Sequence, residues 1–180
     1  LYTVSYIGKH AFASSGVEEV KCSTLTFLGD RAFEKMPALH RAEINIAEIP
    51  PYAFHRSKSL VTGVFPMTKK VGKHAFAGCG MLCSCDLSPE IHLEEYAFYH
   101  SGLNFIRLVR PTFSGIGHFE LCNALEEIIF GPSPVTIPIR FCHGCSSLTY
   151  ITTEHAAAPG ARAIVNDEVG SLSLEATEAR

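Results

Sequence analysis

A sequence unit of 21–23 residues is repeated seven times through most of this chain, and this repeat constrains its fold more than any other feature. An aromatic slot marks each copy, and successive slots are 21, 21, 22, 22, 21 and 23 residues apart. The slot is filled by Phe12, Phe33, Phe54, Phe76, Phe98, Phe119 and, in the last copy, Cys142. Gly or Pro lies four places earlier in six copies, and Val or Leu follows five or six places later in all of them. So short a unit cannot bury its apolar face alone, which predicts a solenoid of stacked copies.

Each copy ends in a short alternating segment, seen best in L-N-F-I-R-L at 103–108 and L-E-E-I-I-F at 125–130. Apolar residues at every second position predict a strand with one buried face. The preceding A-F-x-x-C segment has the spacing of a helical turn and predicts a short helix or 3₁₀ turn. The expected fold is therefore an α/β repeat solenoid with a parallel sheet along one side and short helical turns.

The full pattern, I/V-G-x-x-A-F-x-x-C-x-x-L-x-x-I-x-L, resembles the BspA-type leucine-rich repeat over residues 7–153. The departures are Ser114 and His118 in the sixth copy, and Phe141, which lies one place before the slot in the seventh. The resemblance implies a leucine-rich-repeat solenoid acting in protein–protein interaction or adhesion, without enzymatic activity. It also implies secretion or display at the cell surface.

The repeat divides the chain into two parts. Residues 1–153 are expected to form the solenoid, as a segment of a longer array, because Leu1–Tyr6 reads as the end of an earlier unit. Residues 154–180 are expected to be an Ala-rich and then acidic tail or linker, with a short helix or strand near Ala161–Val165.

The charge distribution bears on the class of partner. Residues 1–153 carry 13 Lys/Arg and 13 Asp/Glu, and residues 154–180 carry two and five. A body with balanced charge and no basic stripe argues against nucleic acid, whose binding depends on neutralising phosphates. No apolar run approaches the roughly 20 residues of a membrane-spanning helix. The resemblance implies a protein or a cell-surface macromolecule as the partner.

Seven cysteines raise the alternative of a thiol or zinc enzyme, because C-G-M-L-C-S-C at 79–85 and C-H-G-C at 142–145 have ligand-like spacings. The repeat instead places six of them in core columns and only Cys83 in a variable one. The two groups lie three copies apart, about 15 Å along the stack, so we expect neither a metal nor another cofactor. Cys122 and Cys145 are close enough for a disulfide, although an odd number of buried cysteines favours free thiols.

The nine histidines show no catalytic pattern. Neither H-E-x-x-H nor G-x-S-x-G is present, and most histidines fall in polar or variable columns. We therefore expect solvated surface histidines and no catalytic residue.

Two columns of strand residues are expected to face outward and form the recognition surface. Phe105, Arg107, Ile129 and Tyr150 are its unusual members, since exposed aromatic and Arg side chains are enriched at interface hot spots. The complete set of candidate partner-binding residues is Phe105, Arg107, Glu127, Ile129, Tyr150, Arg41 and Glu43. Scattered surface residues without a role are the alternative for the site. An intracellular scaffold or assembly subunit is the alternative for the function, supported by the thiols.

Overall fold

The computed structural model describes residues 3–153 and the backbone of residues 162–164. Each copy contributes a strand to a first strand row, which forms the face predicted from the alternating segments. The members of this row are β2 (Glu19–Cys22), β4 (Arg41–Ile44), β6 (Thr62–Phe65), β8 (Ser84–Leu87), β10 (Phe105–Leu108), β12 (Glu127–Phe130) and β13 (Tyr150–Thr153). The five pairs that form within this row all run parallel, which confirms the predicted parallel solenoid of about seven turns.

A second strand row, which the sequence did not predict, runs along another side of the stack. It uses the residues just before each turn, where, in every member except the last, an outward side chain alternates with a buried aliphatic one. Its members are β1 (Tyr6–Ile7), β3 (Phe27–Leu28), β5 (Glu48–Ile49), β7 (Lys70–Val71), β9 (Glu90–Leu93) and β11 (Arg110–Phe113), parallel wherever they pair.

The aromatic slot forms a spine through the centre of the stack. Neighbouring rings from Phe12 to Phe119 lie nearly parallel, with centroids 5.0–5.5 Å apart. From Phe33 onward these rings are fully buried. In the seventh copy, where Cys142 holds the slot, the ring of Phe141 enters the core instead, 5.1 Å from that of Phe119. The apolar spine inferred from the repeat is therefore confirmed.

The A-F-x-x-C segments are turns, and the prediction of short helices there is wrong: the described residues contain no helix. In every copy the residues two before and two after the aromatic slot have positive φ, as at His10 (57°) and Ser14 (60°). A helix needs consecutive right-handed residues, so these left-handed ones interrupt it. Alternate N–H groups consequently bond within the turn and to the next copy: Ala11 N donates to Gly8 O, and Phe12 N to Ala32 O.

Each strand row is interrupted once. No backbone hydrogen bond joins β8 to β10 in the first row, or β3 to β5 in the second. The fourth and fifth copies stay together at the first interruption because β7 and β9 pair in the second row. We call the gap between β8 and β10 the first-row split.

The last described segment, β14 (Arg162–Ile164), pairs antiparallel with β13 and borders the first row. A strand is thus what the structure shows within the segment at 161–165; the rest of the expected tail lies outside the described residues. No helix that could cross a membrane occurs in the part of the chain described.

Candidate interaction surface

The structure brings five of the seven candidate residues together on the outward face of β10, β12 and β13. The parallel register aligns Phe105 with Glu127 and Glu127 with Tyr150, while Arg107 aligns with Ile129. Phe105 and Tyr150 are therefore two strand spacings apart, roughly 10 Å. We call these five residues the outward patch.

Exposure differs within the outward patch. Phe105 is 54% exposed and Tyr150 is 38% exposed, although inward neighbours such as Ile128 are fully buried. Ile129 and Glu127 are half-buried, and Glu127 accepts a hydrogen bond from Thr152 Oγ1 at 3.2 Å. The patch thus offers two aromatic side chains on either side of a positioned carboxylate.

Arg41 and Glu43 lie on β4, in the other half of the first row, and form an ion-pair network of their own. Glu43 lies 2.9 Å from Lys21 Nζ and 3.3 Å from Arg41 Nη2, and Arg41 Nε lies 3.7 Å from Glu19. The hydrogen bonds from Lys21 and then Arg41 hold the pKa of the Glu43 carboxyl below its ordinary value. The structure does not join these two residues to the outward patch.

The first-row split borders the outward patch at Phe105 and opens a cavity of about 150 Å³. Its lining includes Cys85 and Leu87 on one side, and Phe105, Arg107 and Val109 on the other. Sequence reasoning missed the cavity, because the residues of the fourth and fifth copies fit the repeat and carry no sign of a missing ladder.

The interruption in the second row opens a larger groove, of about 770 Å³, on a different side of the solenoid. Phe27, Met67 and Ala47 line it, and Phe27 stacks against Tyr6 with ring centroids 4.6 Å apart. Tyr6 and Met67 are both more than 60% exposed. Sequence reasoning overlooked this apolar surface as well, because it assigned no strand to these positions.

Stacked rings also follow the turns. His74 lies between Tyr52 and Tyr96, with both ring centroids 5.1 Å away, and the Arg31 guanidinium lies 4.0 Å above the Tyr52 ring. Because these rings cover one another's faces, they brace the turns and leave little flat surface for a ligand. Burial lowers the pKa of His74, which is half-buried and was expected to be solvated.

Glu34 anchors the same side of the stack. Its carboxylate lies 3.0 Å from Arg31 Nη1 and 3.2 Å from His55 Nδ1. Burial acts to raise the Glu34 pKa, but the His55 hydrogen bond and the Arg31 charge outweigh it and leave that pKa lowered. Burial lowers the pKa of His55, so at neutral pH a neutral imidazole donates to the carboxylate.

His118 corrects the expectation of solvated histidines most clearly, because it is fully buried. It occupies the column that is Ala in the first five copies, where its ring packs 5.1 Å from Phe113 and 5.8 Å from Phe141. Its Nε2 lies 3.1 Å from the Ser114 carbonyl oxygen. Desolvation lowers the pKa of this imidazole.

The cysteines do not converge on a ligand site. All seven are free, including Cys122 and Cys145, and three are fully buried. Burial raises the pKa of the Cys79 thiol to about 12 and that of Cys142 to about 11, so both are protonated at neutral pH. No group of three or more His, Cys, Asp or Glu side chains among residues 3–153 is arranged to bind a metal ion.

A sequence profile of the BspA type leucine rich repeat region matches residues 2–104 and 47–158, with six copies. Two solved structures share the fold. A leucine-rich cell surface protein from Faecalibacterium prausnitzii is 22% identical with a TM-score of 0.52, and the match covers 71% of this chain and 43% of that one. The pneumococcal vaccine antigen PcpA is 17% identical with a TM-score of 0.57, over 84% of this chain and 49% of that one.

This chain therefore matches less than half the length of each of those two structures. No curated protein matches it in sequence.

Proposed function

The chain belongs to the BspA-type leucine-rich repeat family, and on that premise we propose that it is a non-enzymatic protein-interaction and adhesion module. The outward patch is the proposed contact surface, and a protein or other cell-surface macromolecule is the proposed partner. The observation that carries this proposal is the alignment of Phe105, Glu127 and Tyr150 in one row, with both rings exposed.

Rigidity supports the proposal physically. Outward side chains of β10, β12 and β13 stand on strands whose inward residues, except Thr153, are buried, so their spacing is set before a partner arrives. Binding then orders few side chains, which lowers its entropic cost. Tyr and Phe add contact area with few rotatable bonds, and a central cluster of such residues dominates most interfaces.

Location at the cell surface is part of the proposal. One structural neighbour is described as a cell surface protein and the other as a vaccine antigen, which agrees with this setting.

The test is selection of binders from a phage library of random protein fragments against the immobilised chain. We expect most selected fragments to bind the Ile129→Asp/Tyr150→Ala variant at least tenfold more weakly. Met81→Ala, which removes an exposed apolar side chain outside the strand rows, should leave binding unchanged. Fragments that ignore the double variant would reject the patch as the contact surface.

An intracellular scaffold or assembly subunit is the second candidate, favoured by seven cysteines that are all free. Fractionation of the source cells, followed by detection with an antibody raised against the chain, separates the two candidates. Protein in the soluble cell interior alone would favour the scaffold.

A further inference from the structure

The column three places after the aromatic slot holds cysteines in two neighbouring copies at only one point, in the sixth and seventh copies. Along the chain this column reads Ser15, Met36, Ser57, Cys79, Ser101, Cys122 and Cys145. We propose that Cys122 and Cys145, free in the structure, are a modification site that a small-molecule disulfide such as oxidised glutathione converts into a disulfide bond. The bond joins the sixth copy to the seventh. This inference goes beyond the proposed function and does not depend on what the outward patch binds.

The turns of the two copies bring the thiols together. Leu121 N donates to His143 O at 2.9 Å, which holds the turns side by side. Cys145 Sγ lies 2.9 Å from the Phe119 carbonyl oxygen, to which Cys122 N also donates at 3.2 Å, and the two thiols interact directly. Equivalent residues of adjacent copies are about 5 Å apart, within the roughly 4.4–6.8 Å that separates the Cα atoms of a disulfide. Closure therefore needs little beyond rotation of the two side chains.

Closing the bond leaves no carbonyl group without a donor. In the reduced form the Cys122 thiol donates to Phe98 O at 3.0 Å, and the Cys145 thiol donates to Phe119 O. Oxidation removes both donors, but Phe98 O also accepts from Ser101 N at 3.1 Å. Phe119 O likewise keeps its bond from Cys122 N. Because both oxygens stay hydrogen-bonded, the penalty for an unsatisfied buried acceptor does not arise.

The surroundings of the pair favour the loss of one of its two protons. Burial acts to raise the pKa of the Cys122 thiol, but hydrogen bonds from Cys145 and Ser101 outweigh it and leave that pKa lowered. Ser101 Oγ lies 3.3 Å from Cys122 Sγ. The hydrogen bond to Cys122, and then burial, raise the pKa of Cys145, which keeps the remaining proton. The pair therefore provides a thiolate, the species that attacks a disulfide.

The reaction balances as two thiol–disulfide exchanges. Cys145 is half-buried and Cys122 is fully buried, so Cys145 meets the oxidant. With the shared proton moved to Cys122, the Cys145 thiolate attacks one sulfur of the small disulfide, breaks its S–S bond and releases a small thiolate. Cys122 then gives its proton to that thiolate and attacks the Cys145 sulfur, which releases a second small thiolate that takes a proton from solvent. Two protein thiols are oxidised and one small disulfide is reduced to two thiols.

The position of the pair connects its redox state to the outward patch. Cys122 lies shortly before β12, which carries Glu127, and Cys145 lies shortly before β13, which carries Tyr150. A closed pair therefore ties together the two turns that lead into these strands. Disulfides persist in oxidising extracellular settings and are reduced in the cell interior. The bond is accordingly closed at the cell surface and open inside the cell.

The experiment oxidises the whole reduced chain, without denaturant, in glutathione buffers with a rising ratio of the oxidised to the reduced form. The remaining free thiols are alkylated with N-ethylmaleimide before digestion with trypsin, and mass spectrometry identifies the peptides. Cleavage separates residues 108–140, which contain Cys122, from residues 141–162, which contain Cys142 and Cys145. Fragmentation of the joined peptides then shows which sulfur of the second peptide is bonded.

Cys145→Ser removes one partner and keeps a hydroxyl donor in its place, whereas Cys142→Ser, the matched control, removes only the neighbouring thiol. We expect a Cys122–Cys145 cross-link in the wild type and in Cys142→Ser, and none in Cys145→Ser. The oxidised wild type should melt roughly 5–10 °C above its reduced form, a rise that Cys145→Ser should lack. Alkylation of both thiols at the most oxidising ratio, a bond that involves Cys142, or an unchanged melting temperature after oxidation would overturn the proposal.

Discussion

The thiol of Cys79 donates a hydrogen bond to the carbonyl oxygen of Phe54, with Sγ 3.1 Å from that oxygen, in the preceding copy. The same bond recurs along the column, from Ser57 to Phe33 at 2.6 Å and from Cys122 to Phe98 at 3.0 Å. Except for Met36, every member of the column is therefore a small side chain that carries a donor. This explains why Ser and Cys exchange there, which small size and hydrophobicity alone would not.

Cys79→Ser should preserve this bond, whereas Cys79→Ala should remove it. Loss of the donor leaves the Phe54 carbonyl with one partner fewer and should lower the free energy of unfolding by about 1–2 kcal/mol. We expect the free energy of unfolding of the Ser variant to lie within about 1 kcal/mol of the wild-type value. Urea unfolding measures both, and Cys83→Ala, at a half-exposed position, should change stability by less than about 0.5 kcal/mol.

Phe76→Ala should be among the most destabilising single substitutions. Its ring is fully buried between those of Phe54 and Phe98, with centroids 5.2 and 5.0 Å away, and truncation removes contacts on both sides. Truncation of a buried Phe to Ala lowers the free energy of unfolding by about 3–5 kcal/mol. Phe105→Ala, at an exposed ring, should cost under about 0.5 kcal/mol. Similar melting temperatures for the two variants would contradict the continuous spine.

The sequence was sufficient to predict the stacked architecture because burial imposes a residue type at every copy. Each ring of the spine lies in the same environment, so the aromatic slot repeats and can be counted. The inward strand positions follow the same logic, and Ile106, Ile128 and Ile151 align in the structure as expected.

The turns could not be predicted from side-chain spacing, because left-handed backbone is set by hydrogen bonding between copies. Residues as different as Arg31, Tyr52 and His74 adopt positive φ at equivalent positions, so no composition marks them. Nor could the first-row split be predicted: Cys85 is as apolar as its column requires, and only the missing ladder uncovers it. A single alignment column also cannot show that His118, a polar residue, turns inward.

Lys35→Gly should stabilise the protein even though it removes a side chain. Lys35 is exposed and has a φ of 54°, which costs a residue with a side chain roughly 1–2 kcal/mol. Glycine relieves that cost and adds about 0.5–1 kcal/mol of backbone entropy loss, so the free energy of unfolding should rise by up to about 1.5 kcal/mol. Lys35→Val should be destabilising, because a branched side chain fits this conformation worst.

Lys58→Gly is the control for that prediction. Lys58 is exposed too, but its φ is not positive, and its column also holds Pro37. Lys58→Gly should therefore lower the free energy of unfolding by about 0.5–1 kcal/mol. Thermal melts in which both glycine variants shift in the same direction would argue against strained turns.

His118 should make the solenoid less stable in mild acid. The native imidazole is desolvated, and its pKa lies below the ordinary value near 6.5 that the unfolded chain recovers. Between those two values the unfolded state binds a proton that the native state does not, so the free energy of unfolding falls as the pH decreases. Above about pH 6.5 both states are neutral at this site and the dependence disappears.

His118→Ala should weaken this pH dependence while restoring the residue that the column holds in the first five copies. The desolvated imidazoles of His55 and His74, whose pKa values are lowered too, remain in the variant, so part of the slope should persist. Urea unfolding of both proteins at pH 7.5, 6.5 and 5.5 measures the difference. Ala leaves space beside Phe141 and changes the stability itself, so the slope of stability with pH is the quantity that reports titration. An unchanged slope would show that His118 does not titrate against folding.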